Sequence, residues 1–179
     1  MAARKCNGPY GSFDDSIELL DDYINSFGSH VPNRDQAPVI EMVAIDCVDS
    51  PNSRIKMYLR TACNTLTRVK DQYTLGGRLD GEVIEAGLEA LSELWPILFR
   101  LEDAGTDFEN TEVFPKGNYC GCAIEMKPGH RIPVTKIHIP VRKIDGTDAQ
   151  LAKSLSHWFK KRGHGTFADT YIKDLASAL

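Results

Sequence analysis

Arg54-Ile55-Lys56-Met57-Tyr58-Leu59-Arg60 alternates strictly between cationic or ring-bearing polar residues and apolar ones, and Lys136-Ile137-His138-Ile139-Pro140-Val141-Arg142 repeats the pattern. Alternate side chains of a β-strand point to opposite faces of the sheet. Arg54, Lys56, Tyr58 and Arg60 therefore share one face, Ile55, Met57 and Leu59 share the other, and the second run divides in the same way. Two such strands side by side predict a dense field of positive charge and hydrogen-bond donors. Yet the chain as a whole is acidic, with 25 Asp and Glu against 21 Lys and Arg. The local excess of cations is not a product of composition, and it reads as a site for a polyanion. That anion is not expected to be nucleic acid, which normally needs a broad basic footprint, whereas the net charge here is −4.

Outward from these runs, the periodicity supplies the other elements. Residues 13–27 read as an amphipathic helix, with Ile17, Leu20, Ile24 and Phe27 at helical spacing, Ser12 placed to cap the start and Gly28 after the end. A polar loop through Val31-Pro32-Asn33-Arg34 follows. Residues 39–48 are rich in β-branched and apolar side chains, and the turn formers Asp49-Ser50-Pro51-Asn52 separate them from the Arg54 run, which predicts a hairpin. Residues 65–73 and 81–101 read as two helices divided by Gly76-Gly77, and Pro96 should kink the second because it lacks an N–H.

After an irregular stretch, Cys120, Cys122, Ile124 and Met126 alternate with Gly121, Ala123 and Glu125. The turn signal Lys127-Pro128-Gly129-His130 then leads into the Lys136 run, a second hairpin. Residues 145–162 and 166–179 complete the order as another helix pair, with Lys160-Lys161-Arg162 where the helix dipole favours cations. The order is a repeat of two helices and two antiparallel strands, with Arg54 and Lys136 about 82 residues apart. The predicted class is α+β with helices outside the sheet. The apolar strand residues must then face the helices, and if the sheet curves closed the charged face lines a lumen.

At 179 residues and 42% hydrophobic content the chain is long enough for one domain with a substantial core. No stretch approaches the run of about 18 apolar residues that spans a bilayer, and Met1-Ala2-Ala3-Arg4-Lys5 is not followed by an apolar signal core. A cytoplasmic location without a membrane partner is expected. Five cysteines, with only Cys120 and Cys122 close together, suggest reduced thiols, not a disulfide framework.

Several motifs, in order, carry a resemblance. These are Ser53-Arg54-Ile55-Lys56-Met57-Tyr58-Leu59, Tyr73-Thr74-Leu75-Gly76-Gly77-Arg78, Gly87-Leu88-Glu89-Ala90-Leu91 with Glu93-Leu94-Trp95, the Lys136 run, and Phe159-Lys160-Lys161-Arg162-Gly163. Together they closely resemble the fungal dimethylallyltryptophan synthase (DMATS-type) family of indole prenyltransferases, over nearly all of the chain from about Asp14 onward. The resemblance implies an antiparallel barrel of the ABBA prenyltransferase type, built from ten strands in helix-helix-strand-strand units, with the active site in the lumen. On this comparison the chain corresponds to a central to C-terminal portion with four of those strands. Residues 1–179 are then one partial barrel domain, with residues 1–12 disordered. Four strands cannot close a barrel of useful size. The chain is therefore expected to be a fragment, a non-catalytic truncated homologue, or a subunit that completes a barrel with another copy or another chain.

The reaction the resemblance implies transfers a dimethylallyl group from dimethylallyl diphosphate to an aromatic acceptor such as tryptophan or an indole derivative, in fungal secondary metabolism. Matched to the family motif, Arg54, Lys56, Tyr58 and Lys136 are diphosphate ligands. Arg54 can fork onto two phosphate oxygens, Lys56 supplies a compact charge, and Tyr58 supplies a hydroxyl donor. His138 falls where the family usually places a tyrosine; it can donate a hydrogen bond but shields a carbocation less well than a phenol. The general base is expected in a more N-terminal part of the family fold, and no catalytic base is assigned here. Diphosphate binding is expected to be independent of metal and cofactor. Asp14-Asp15-Ser16-Ile17-Glu18 could hold a divalent ion, but acidic residues gather in first helical turns because they complement the dipole. Cys120, Cys122, His130 and His138 lack a zinc-site spacing, and no metal site is assigned. Trp95 and Trp158 read as core anchors.

Overall fold

Described in a computed structural model are residues 11–27, 37–49, 52–61, 63–101, 107–115 and 118–178. The first helix, α1 (Asp14–Asn25), starts behind Ser12, whose Oγ accepts from the Asp14 N–H at 2.9 Å. Gly28 and the loop 31–34 lie outside the described residues, as do residues 1–10 of the stretch predicted to be disordered. Ser12 itself accepts a backbone bond from the Gly129 N–H at 2.9 Å.

Strands β1 (Val39–Ile45) and β2 (Ile55–Arg60) pair antiparallel, with an irregularity in register between Ile40 and Met42. Helices α2 (Leu66–Tyr73) and α3 (Glu82–Phe99) follow, then the second hairpin, β3 (Gly121–Met126) and β4 (Val134–His138), then α4 (Asp148–Lys161) and α5 (Gly165–Ala178). The helix, hairpin, helix pair, hairpin, helix pair order is the one predicted from the repeat. The four strands form one open antiparallel sheet in the order β1-β2-β3-β4.

One expectation is corrected. The alternation that runs from Lys136 to Arg142 is strand only as far as His138, and Val141–Lys143 form a 3-10 turn. Pro140 has no N–H to give to a ladder, and Lys143 N–H closes back onto the Pro140 carbonyl at 2.8 Å. Arg142 therefore leaves the face that Lys136 and His138 share. Pro96, whose missing N–H predicts a kink, lies near the end of α3, which closes at Arg100 in the left-handed conformation (φ 55°).

The apolar strand faces are covered by helices, as the pattern requires. Leu59 of β2 and Cys122, Ile124 and Met126 of β3 pack with Leu20 and Tyr23 of α1 and with Leu75 and Leu79 of the turn after α2. A second cluster joins Leu66 and Val69 of α2 to Leu91 and Trp95 of α3, Phe114 and Cys120. Each large apolar side chain so buried contributes about 1.5–3 kcal/mol. Polar pins fix the layers: Thr135 Oγ1 donates to the Tyr73 carbonyl at 2.7 Å, and the Tyr23 hydroxyl donates to Asp71 at 2.9 Å. Buried Asn64 accepts from the Cys120 N–H at 2.8 Å and donates to the Asn118 carbonyl at 2.8 Å, tying the end of β2 to the entry of β3.

Among the described residues, the helix cover does not extend to β1. Val43 and Ile45 on the helix side are 53% and 64% exposed, and Met42 on the opposite side is 51% exposed. No helix of the described residues is long and apolar enough to cross a membrane.

Candidate functional site

The face turned away from the helices holds all five predicted ligands. Registration places Tyr58 of β2 beside Ala123 of β3 and Lys136 of β4, and Arg60 beside Gly121 and His138. Lys56 lies one row along, beside Glu125 and Val134. Neighbouring strands are about 4.8 Å apart, so the β2 and β4 side chains stand about 10 Å apart at their bases. Between them the middle strand presents only Ala123 and Gly121 in the Tyr58 and Arg60 rows. Those small residues leave room for side chains to lean across β3, and the Tyr58 and His138 rings approach to 6.1 Å between centroids. Among the described residues neither ring's polar atoms have a protein hydrogen-bond partner.

The electrostatics differ from the uncompensated positive field that the alternation predicts. Arg54 Nε meets Asp46 at 2.6 Å and its Nη1 meets Glu125 at 3.0 Å. Lys56 Nζ meets the other oxygen of Asp46 at 2.9 Å, and Lys136 Nζ meets the other oxygen of Glu125 at 2.6 Å. At the far end of β2, Arg60 pairs with Glu41 at 2.6 Å and lies over the Tyr119 ring. The field is a lattice in which each of these carboxylates sits against a cation or two. Hydrogen bonds from Lys56 and then Arg54 hold the Asp46 carboxyl below the usual carboxylate range, and Lys136 does the same for Glu125. The bond to Asp46 raises Arg54 in turn.

Sequence reasoning missed these partners, although the signals were present. Glu125 occupies the outward phase of a strand whose other phase is Cys120, Cys122, Ile124 and Met126, so it had to lie on the charged face. Asp46 could be placed only once the hairpin register was known, with the Asp46 N–H bonded to the Arg54 carbonyl at 3.0 Å.

The other candidates separate spatially. Cys120 and Cys122 are buried on the helix side of β3, where burial pushes both thiols up to about 12, while His138 projects from the opposite face. The described cysteines, Cys47, Cys63, Cys120 and Cys122, are free thiols. Asp14 and Asp15 occupy the first turn of α1, and Ser16 beside them is spent on the His130 and Arg131 carbonyls. Trp95 is a core anchor with no exposure. Trp158 instead borders a cavity of about 210 Å³ with Leu91, Leu94, Ile137 and Ile139.

A family model described as tryptophan dimethylallyltransferase matches residues 1–174. Among curated relatives, the prenyltransferase iacE of Pestalotiopsis fici is 33% identical over 98% of this chain and 40% of its own length. The 7-dimethylallyltryptophan synthase of Aspergillus fumigatus is 32% identical over 89% of this chain and 32% of its own length. Among solved structures, AnaPT from Neosartorya fischeri superposes with a TM-score of 0.72 at 23% identity, over 92% of this chain and 36% of that one. NotF in complex with brevianamide F and DMSPP gives a TM-score of 0.65 at 25% identity, over 89% of this chain and 35% of that one. The chain thus spans about a third to two fifths of the length of the proteins it matches.

Proposed function

The chain belongs to the tryptophan dimethylallyltransferase family, and from that premise we propose that it carries the diphosphate-binding part of an aromatic prenyltransferase site. Arg54, Lys56, Tyr58, Lys136 and His138 bind the diphosphate of dimethylallyl diphosphate, and the acceptor is tryptophan or a related indole of fungal secondary metabolism. One observation carries the reading: antiparallel register brings Lys56 and Tyr58 of β2 and Lys136 and His138 of β4 to one face of the sheet, opposite the helices, and Arg54, just before β2, reaches the same face at Glu125.

Ionisation is the demanding step. When the allylic C–O bond breaks, both electrons stay on the diphosphate oxygen, and preorganised donors must meet the charge that develops there. Arg54 forks onto two oxygens, Lys56 and Lys136 add point charges, and Tyr58 and His138 donate hydrogen bonds. These cations do the neutralising, so the reading invokes no metal or cofactor. An electron-rich ring carbon then attacks the allylic cation, a C–C bond forms, and the ring loses its proton to a base that is not assigned to a residue of this chain. On the same reading, residues 1–179 are one partial domain of a cytoplasmic ABBA barrel whose lumen the charged face lines.

The open sheet supports a second reading. β1 is an edge strand with exposed apolar residues on both sides, the surface on which further strands would pair and pack. A second copy or another chain completing the barrel would occupy it; the alternative on this reading is a non-catalytic truncated homologue.

Calorimetric titration with dimethylallyl diphosphate tests the first reading. A charge-assisted hydrogen bond is worth about 1.5–3 kcal/mol, so Arg54→Gln is expected to weaken binding about 10- to 100-fold. Lys136→Met should act in the same direction. Unchanged affinity in both variants would overturn the assignment.

A further inference from the structure

The carboxylates of the charged face are arranged as an anion would be. Glu125 places one oxygen 2.6 Å from Lys136 Nζ and the other 3.0 Å from Arg54 Nη1, bridging β4 and β2 from the strand between them. Asp46 does the same on the other side, with one oxygen 2.9 Å from Lys56 Nζ and the other 2.6 Å from Arg54 Nε. A phosphate group presents two oxygens to two cations in much the same way. Glu125 is also sheltered, its side chain only 13% exposed, while Lys136 is 52% exposed and open to solvent. The five residues carry three positive and two negative charges, leaving an excess of one.

We propose, on the diphosphate reading given above, that Glu125 and Asp46 are internal counter-ions of the cationic face, holding in the free chain the cation contacts that the diphosphate takes when it binds. Without them, Arg54 and Lys56 would repel each other at the start of β2 and Lys136 across β3, and their long side chains would lose the extended pose that the ion pairs fix. The carboxylates are therefore positioning residues, and they oppose the anion they prepare for.

Two effects of removing a carboxylate charge compete, and their sizes decide the sign. Loss of pose is limited, since a Gln at position 125 still accepts a hydrogen bond from either cation. Repulsion is larger: a carboxylate within a few ångströms of a bound phosphate, at a partly sheltered site, acts across a medium far less polar than water. Affinity should rise as stability falls. A purely structural role makes the opposite coupling, since a loosened site binds less well.

Inorganic pyrophosphate is the probe, titrated calorimetrically into the full chain at fixed ionic strength, with thermal unfolding followed in parallel. Glu125→Gln is expected to bind pyrophosphate about tenfold more tightly or better than the parent while unfolding at lower temperature. Asp46→Asn should shift both quantities in the same directions, and Glu125→Asp should stay close to the parent. If the parent binds pyrophosphate and the two neutral variants bind it equally or less well, the counter-ion role is overturned and the diphosphate site stands. If parent and variants alike fail to bind, the diphosphate site itself is overturned, and the counter-ion role with it.

Discussion

At the residue scale, the charged face shows why side-chain type and strand phase do not fix electrostatics. Arg54, Lys56 and Lys136 are where alternation puts them, but the field they produce depends on Asp46 and Glu125, which belong to different segments and reach them only through strand pairing. Both carboxyls are held below their usual range by these cations, and the sign of the consequence follows from linkage. A depressed carboxyl pKa makes the folded state bind fewer protons than the unfolded one. The stabilisation is fully present above the ordinary carboxylate range and disappears as pH falls through the lowered values. The difference in thermal midpoint between the parent and the Asp46→Asn/Glu125→Gln double variant should therefore be largest near neutrality and shrink progressively as pH falls below the ordinary carboxylate range. A gap that persists undiminished in acid would show that the ion pairs are not its source.

At the scale of the element, local chemistry and tertiary demand mostly agree. Helix α4 opens with a capping box: Thr147 Oγ1 accepts from the Gln150 N–H at 3.3 Å, and Gln150 Oε1 accepts from the Thr147 N–H at 2.9 Å. Two orphan donors are satisfied reciprocally, and Thr147→Ala should cost about 1 kcal/mol in denaturant unfolding, with Thr147→Ser recovering most of it. Equal stability of all three proteins would mean that the end of α4 frays without consequence. Disagreement is confined to β4, where a period-two pattern continues past Pro140 although the strand does not. The pattern reports which faces the residues prefer, while the ladder needs an N–H that proline lacks, and the hydrogen bond decides.

Across the whole molecule, the helices bury the inner faces of β2 and β3 and leave β1 bare. Val39, Ile40, Met42, Val43 and Ile45 are all more than 40% exposed, on a strand that among the described residues is paired on one side only. Such an edge is a template for association, and natural sheets blunt theirs with charge. The chain is expected to self-associate as concentration rises in sedimentation experiments, and Val43→Lys should shift the distribution toward monomer. A parent chain that stays monomeric at every concentration would remove the ground for a completing partner. By itself the sequence determined the element order, the two hairpins and the identity of the charged face, because periods of two and 3.6 residues are local properties of the backbone; the five candidate ligands on that face came from the family resemblance. Only the tertiary structure decided that β4 ends at His138, that β1 goes uncovered, and that the cations are already paired. The last of these depends on register, within the hairpins for the Asp46 and Lys136 pairs and between strands about 70 residues apart for the Arg54–Glu125 pair, and register is set by which apolar faces pack together, a property that no single segment carries.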